Sequence, residues 1–238
     1  MFLISLFLLF AAPNAPLTAS EKAFLTRIDK AVSRMSDQKT AFIQFEKSVT
    51  KADAIRCNQM QSRVAPNTNY YADCAFAQAW RGIDYDLNIH RLLRPYRFMK
   101  KSEAAQEKDY PFSSQLGPLI DPDNFYVALN WLYLKHHDLK SLGAWEDLTL
   151  DGAPGEGNDD ELSALWDNHA EDMLRAAFNH PLRIKHLAGI LVWGYEEADD
   201  KDHAKQEIAD AKRYTRSKDK RVASAAQALV KELRTGKY

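Results

Sequence analysis

Phe24-Leu25-Thr26-Arg27-Ile28-Asp29-Lys30-Ala31-Val32-Ser33-Arg34-Met35 sets its apolar residues at 24, 25, 28, 32 and 35. That spacing of three and four puts them on one stripe of an α-helix, whereas a half-buried strand alternates at every second residue. The same spacing recurs along most of the 238 residues, strand-like alternation is scarce, and only 9 glycines punctuate the chain. We therefore expect an all-α protein, a multi-helix bundle built from antiparallel helical hairpins.

Upstream of that stripe, Phe2 to Ala12 carry no charge, and the first charged side chain is Glu21. So short a run falls below the roughly 20 apolar residues that a bilayer-crossing helix takes. Small residues follow it, so residues 1–19 are expected to be a secretory signal cleaved after Ala19, although the usual preceding basic residue is missing. Export places the mature chain in the periplasm or outside the cell, without a transmembrane span. There is no Asn-x-Ser/Thr acceptor for N-glycosylation, which fits a bacterial envelope.

Downstream, Ser36-Asp37 can cap a second helix carrying Phe42, Phe45, Val49 and Ile55. Ala65-Pro66-Asn67-Thr68-Asn69 is a turn, and a third helix with Tyr71, Cys74, Ala75, Trp80, Ile83, Leu87 and His90 should end before Pro95. Residues 41–64 and 70–93 would then face each other as a hairpin. Cys57 and Cys74 lie almost equally far from Pro66 on either side, at one height on the two helices. In an oxidising compartment a disulfide between them is expected, worth about 3 kcal/mol through the closed loop.

Residues 101–120 are polar and then Pro-containing and suggest an irregular crossing, and Asp121-Pro122 is a helix-start signal. Asp151-Gly-Ala-Pro-Gly-Glu-Gly-Asn-Asp-Asp160 combines turn residues with acids, so 146–160 is expected to be an acidic loop between an N-terminal region, 20–145, and a C-terminal region, 161–238. Four helical patterns follow it. Arg183-Ile184 to Leu191-Val192 matches Arg221-Val222 to Leu229-Val230 at an offset of 38. In its basic residue, branched apolar residue and Ala-rich stripe, and in a period near 40, this pair resembles HEAT-type helix repeats, over two units at most.

No chemistry-bearing motif stands out. The 7 histidines form no His-Glu-x-x-His pattern, and the neighbours His136 and His137 point about 100° apart on a helix, so no metal ligand set is assigned. There is no Gly-x-Ser-x-Gly nucleophile elbow in a useful context, no phosphate-binding Gly-Lys-Ser/Thr and no EF-hand loop, and no cofactor is expected. Carboxylate pairs such as Glu171 with Asp172 or Glu196 with Glu197 suit solvated faces as well as glycosidase chemistry. The five tryptophans sit mostly on apolar stripes.

Charge is more informative. The chain carries a net charge of −1, which excludes the basic footprint of a nucleic-acid binder. Residues 146–200 hold 14 acidic and 3 basic side chains, and residues 201–238 hold 11 basic and 5 acidic. Such segregation either neutralises internally or steers a charged partner. A second basic stretch, Arg91, Arg94, Tyr96, Arg97, Lys100 and Lys101, interleaves cations with aromatic surface and is the candidate binding patch. The function expected from these features is non-catalytic binding of a protein or envelope polymer. The alternative is a hydrolase acting on an envelope saccharide.

Overall fold

The computed structural model describes residues 16–34, 39–66, 68–97, 123–148, 153–192 and 201–235, with residues 39, 40, 123, 124, 153–155 and 201–204 described by their backbone alone. The apolar run at the N-terminus, Ser36-Asp37, residues 101–120 and Asp121-Pro122 lie outside the described residues. Among the described residues the chain is helical, without strands. It comprises α1 (Ala19–Val32), α2 (Lys39–Ser48), α3 (Lys51–Met60), a 3-10 turn (Gln61–Arg63), α4 (Asn69–Trp80), α5 (Tyr85–Leu92), α6 (Asp123–His136), α7 (Leu139–Glu146), α8 (Ala153–Ala177), α9 (Pro181–Val192), α10 (Lys201–Tyr214) and α11 (Lys220–Thr235). No described helix is long and apolar enough to cross a membrane. The helices form two compact units, one holding α1 to α5 and the other α6 to α11.

In the first unit the opening stripe behaves as its spacing dictates, with Phe24, Leu25, Ile28 and Val32 buried. Thr18 caps α1 in a capping box, its N–H donating to Glu21 at 2.8 Å while its hydroxyl accepts from the Glu21 amide at 3.3 Å. The continuous helix predicted over 41–64 is broken. Thr50 and Asp53 form a second capping box (2.9 and 3.2 Å), which gives the amides at 50 and 53 side-chain partners and starts α3 afresh. The helix predicted over 70–93 is also broken. Gly82 takes a left-handed φ of 68°, which costs a residue without a Cβ little, and the chain re-enters helix at Tyr85 after Asp84.

Helix α4 is the axis of this unit: every residue from Tyr71 to Trp80 is buried, and α1, α3 and α5 pack around it. Phe42, Phe45, Phe76 and Trp80 form a tilted and edge-on cluster with ring centroids 4.6–5.7 Å apart. Its buried polar groups bond inward: Gln78 donates to Gln61 at 2.9 Å, and Gln61 donates to the Tyr71 carbonyl at 3.0 Å.

The second unit consists of three helical hairpins, α6 with α7, α8 with α9 and α10 with α11. The two stretches that match at an offset of 38 are α9 and α11, which pack on each other and bury equivalent residues: Ile184, Leu187, Ala188 and Leu191 against Val222, Ala225, Ala226 and Leu229. Residues 153–160, expected in a loop, are the first turns of α8. The glycine there serves contact rather than turning. A Cβ at Gly157 would stand 2.9 Å from the Tyr126 hydroxyl, and the neighbouring Asn158 is buried and accepts from the Trp145 indole N–H at 2.8 Å.

Phe76→Ala removes a fully enclosed ring from the α4 cluster and should cost roughly 3–5 kcal/mol, and Thr50→Ala about 1 kcal/mol. Urea denaturation followed by circular dichroism measures both, and the order Phe76 above Thr50 is the expected result.

Candidate functional site

Arg91 stands in the last turn of α5 and Arg94 two residues past its end, and both line one cleft. Facing them are Asn58 of α3, Gln61 and Ser62 of the 3-10 turn, Val64 and Pro66 of the connecting loop, and Tyr71 of α4. Together these line a cleft of about 330 Å³. The floor is fixed, because Gln61 is buried and tied to the Tyr71 carbonyl. The Arg94 guanidinium lies over the Tyr71 ring, 5.8 Å from its centroid, and Arg91 Nη1 donates to Asn88 Oδ1 at 3.2 Å. Among the described residues neither guanidinium meets a carboxylate, whereas Arg27, Arg63 and Arg81 in the same unit pair with Asp53, Glu21 and Glu46. Two un-neutralised guanidinia at one cleft attract an anion, and their planar forks fit carboxylate or phosphate oxygens.

The rest of the sequence patch is dispersed. Tyr96 is buried, Arg97 is exposed outside the cleft lining, and Lys100 and Lys101 lie outside the described residues. The opposite wall, Asn58, Gln61 and Ser62, was missed by sequence reasoning because it comes from the other side of the Pro66 turn. The polar run that ends the helix before that turn is the one signal pointing to it.

Cys57 and Cys74 do face each other on α3 and α4. Both are buried and unbonded, and the Cys74 thiol is held well above its usual range by its hydrogen bond with the Cys57 sulfur and by burial. Beside them Asp73 is fully enclosed, one carboxylate oxygen has no partner, and burial followed by the nearby Asp29 carboxyl drives its pKa well above the ordinary range.

In the second unit His137 and His169 flank Tyr133, with centroids 6.1 and 5.4 Å from its ring, and the Tyr133 hydroxyl donates to Asp172 at 2.8 Å. No three metal-ligating side chains assemble among the described residues. Arg175 pairs with Glu171 and Asp172 on α8 at 2.6 and 2.6 Å and with Asp219, just ahead of α11, at 2.8 Å. Trp80, Trp131, Trp145 and Trp166 are all buried, and they pack the core rather than offering rings to a sugar. Comparison of the chain with protein-family models, curated proteins and solved structures finds no match.

Asp73→Asn tests the buried acid. A carboxyl whose pKa is raised in the fold contributes stability below its unfolded value, near 3.8, and loses it as the pH climbs. The variant should gain stability over the wild type, and its advantage in urea midpoint should be larger at about pH 8 than at about pH 5.

Proposed function

We propose that the chain is an exported, non-catalytic helical protein whose Arg91–Arg94 cleft grips an acidic segment of a protein partner, in the manner of an inhibitor, immunity or assembly factor. The observation that carries this reading is the pair of guanidinia without carboxylate partners among the described residues, set in a cleft that also offers amide and hydroxyl groups. Arginine pairs on fixed walls supply both attraction and orientation to a carboxylate-bearing chain, with most of the attraction sensitive to salt. The apolar N-terminal run supports export. Export in turn supports closure of the Cys57–Cys74 pair by a disulfide oxidant, each thiol giving up a proton and an electron. In the same reading α9 and α11 are the inner helices of two HEAT-like units, supported by their equivalent buried positions. The saccharide-hydrolase alternative gains no comparable support, because Glu146 and its neighbour Trp145 lie inside the core.

Purified wild type, Arg91→Ala/Arg94→Ala and Arg97→Ala are compared as bait against envelope extract at low and high salt. Wild type and Arg97→Ala should retain a common partner at low salt. The double variant should lose it by about tenfold or more, and high salt should weaken every complex. Equal capture by the double variant would sink the cleft. Mass spectrometry of unreduced material from the exported fraction should show the Cys57 and Cys74 peptides linked; two alkylatable thiols would count against both export and the bond.

A further inference from the structure

The end of α7, the first turns of α8 and the body of α9 meet around His186. Its Nδ1 lies 2.8 Å from the backbone carbonyl oxygen of Glu146, and its Nε2 lies 3.6 Å from Asp159 Oδ1. A carbonyl and a carboxylate both accept and neither donates, so a proton on Nδ1 makes the hydrogen bond and a second proton, on Nε2, adds the ion pair with Asp159. The carbonyl also belongs to the last turn of α7, where the helix dipole favours a cation.

Immediately behind it is the Glu146 side chain. It is 1 % exposed, and neither carboxyl oxygen has a hydrogen-bond partner. The charged groups around the pair come from each element at the corner. From α7 and its C-cap come Glu146 and Asp147. From α8 comes Asp159, held at 3.2 Å by the Asn158 amide that also receives the Trp145 indole. From α9 comes Arg183, which is occupied elsewhere: it clasps Asp147 at 2.6 and 2.8 Å and donates to the Ala176 carbonyl at 2.6 Å. Gly143 makes room for that guanidinium, since a Cβ there would collide with it. The guanidinium that acts on the Glu146 carboxyl, Arg183, is therefore hydrogen-bonded to its neighbour instead.

We infer that this corner is a proton-operated latch: it is closed while His186 bridges the Glu146 carbonyl and Asp159 as an imidazolium over a neutral Glu146 carboxyl, and loosens when both protons leave. Both groups hold their protons more tightly in the fold than in the unfolded chain. Burial favours neutral His186, but the Asp159 carboxylate and the Glu146 carbonyl outweigh it and raise its pKa above 6.5. Burial raises Glu146 well above 4.5, against a smaller opposing pull from Arg183. A raised pKa means stability that is complete below the unfolded value and lost as the pH rises through the folded one. The two losses add, and they fall on the same joint of α7, α8 and α9. In the opposite direction Asp219 of this unit, lowered by Arg175, loses its contribution only in strong acid.

The test follows thermal unfolding of the full chain between about pH 5.5 and about pH 8.5, for wild type, Glu146→Gln and His186→Gln. Because Asp73 gives a slope of the same sign, the variants carry the result rather than the wild-type slope. Glu146→Gln should unfold at a higher temperature than wild type at the alkaline end and show a flatter profile. His186→Gln should fall below wild type at the acid end and converge on it at the alkaline end. The Trp145 indole N–H resonance in nitrogen–proton correlation spectra should move with the His186 titration in wild type and stay fixed in His186→Gln. Variant profiles parallel to wild type would overturn the latch. So would a wild-type His186 ring titrating at or below about pH 6.5, a measurement that stands even where a variant fails to fold.

Discussion

Helix α4 is enclosed on nearly every side, and most features of the first unit follow from that enclosure. A helix without a solvent face must bond every polar side chain it carries. Gln78 does so through Gln61, while Asp73 does so only in part and shares its environment with Asp29 on α1. Tyr71, at the start of the same helix, is both a core residue and the platform under Arg94. The cleft is therefore anchored to the most enclosed helix of the unit.

The two units handle charge differently. In the second, Arg175 satisfies two carboxylates of its own helix, Glu171 and Asp172, and the distant Asp219, and Arg183 clasps Asp147 across helices. In the first, Arg27, Arg63 and Arg81 pair with carboxylates, whereas Arg91 and Arg94 meet none among the described residues.

What the sequence discloses, it discloses through period. The stripe at 24, 25, 28 and 32 and the twin stripes of α9 and α11 are legible because one face of each meets the core. What it hides are decisions made by single polar groups and by neighbours distant in sequence. Thr50 and Asp53 interrupt an otherwise continuous apolar pattern by capping α3, and Gly82 ends α4 inside another. Gly157 and Asn158 look like turn residues but fit Tyr126 and Trp145, partners that no local window contains. The same limit applies at the cleft, where the pair Arg91 and Arg94 can be seen from its spacing but the wall opposite cannot.

The covering of α4 by α1 has a consequence for synthesis. Phe24, Leu25, Ile28 and Val32 of α1 find their shelter against a helix that ends only at Trp80. A nascent chain emerging from the ribosome must carry that greasy ridge uncovered until about fifty further residues have followed. Over that interval a holdase chaperone would have a natural grip on the amino-terminal helix.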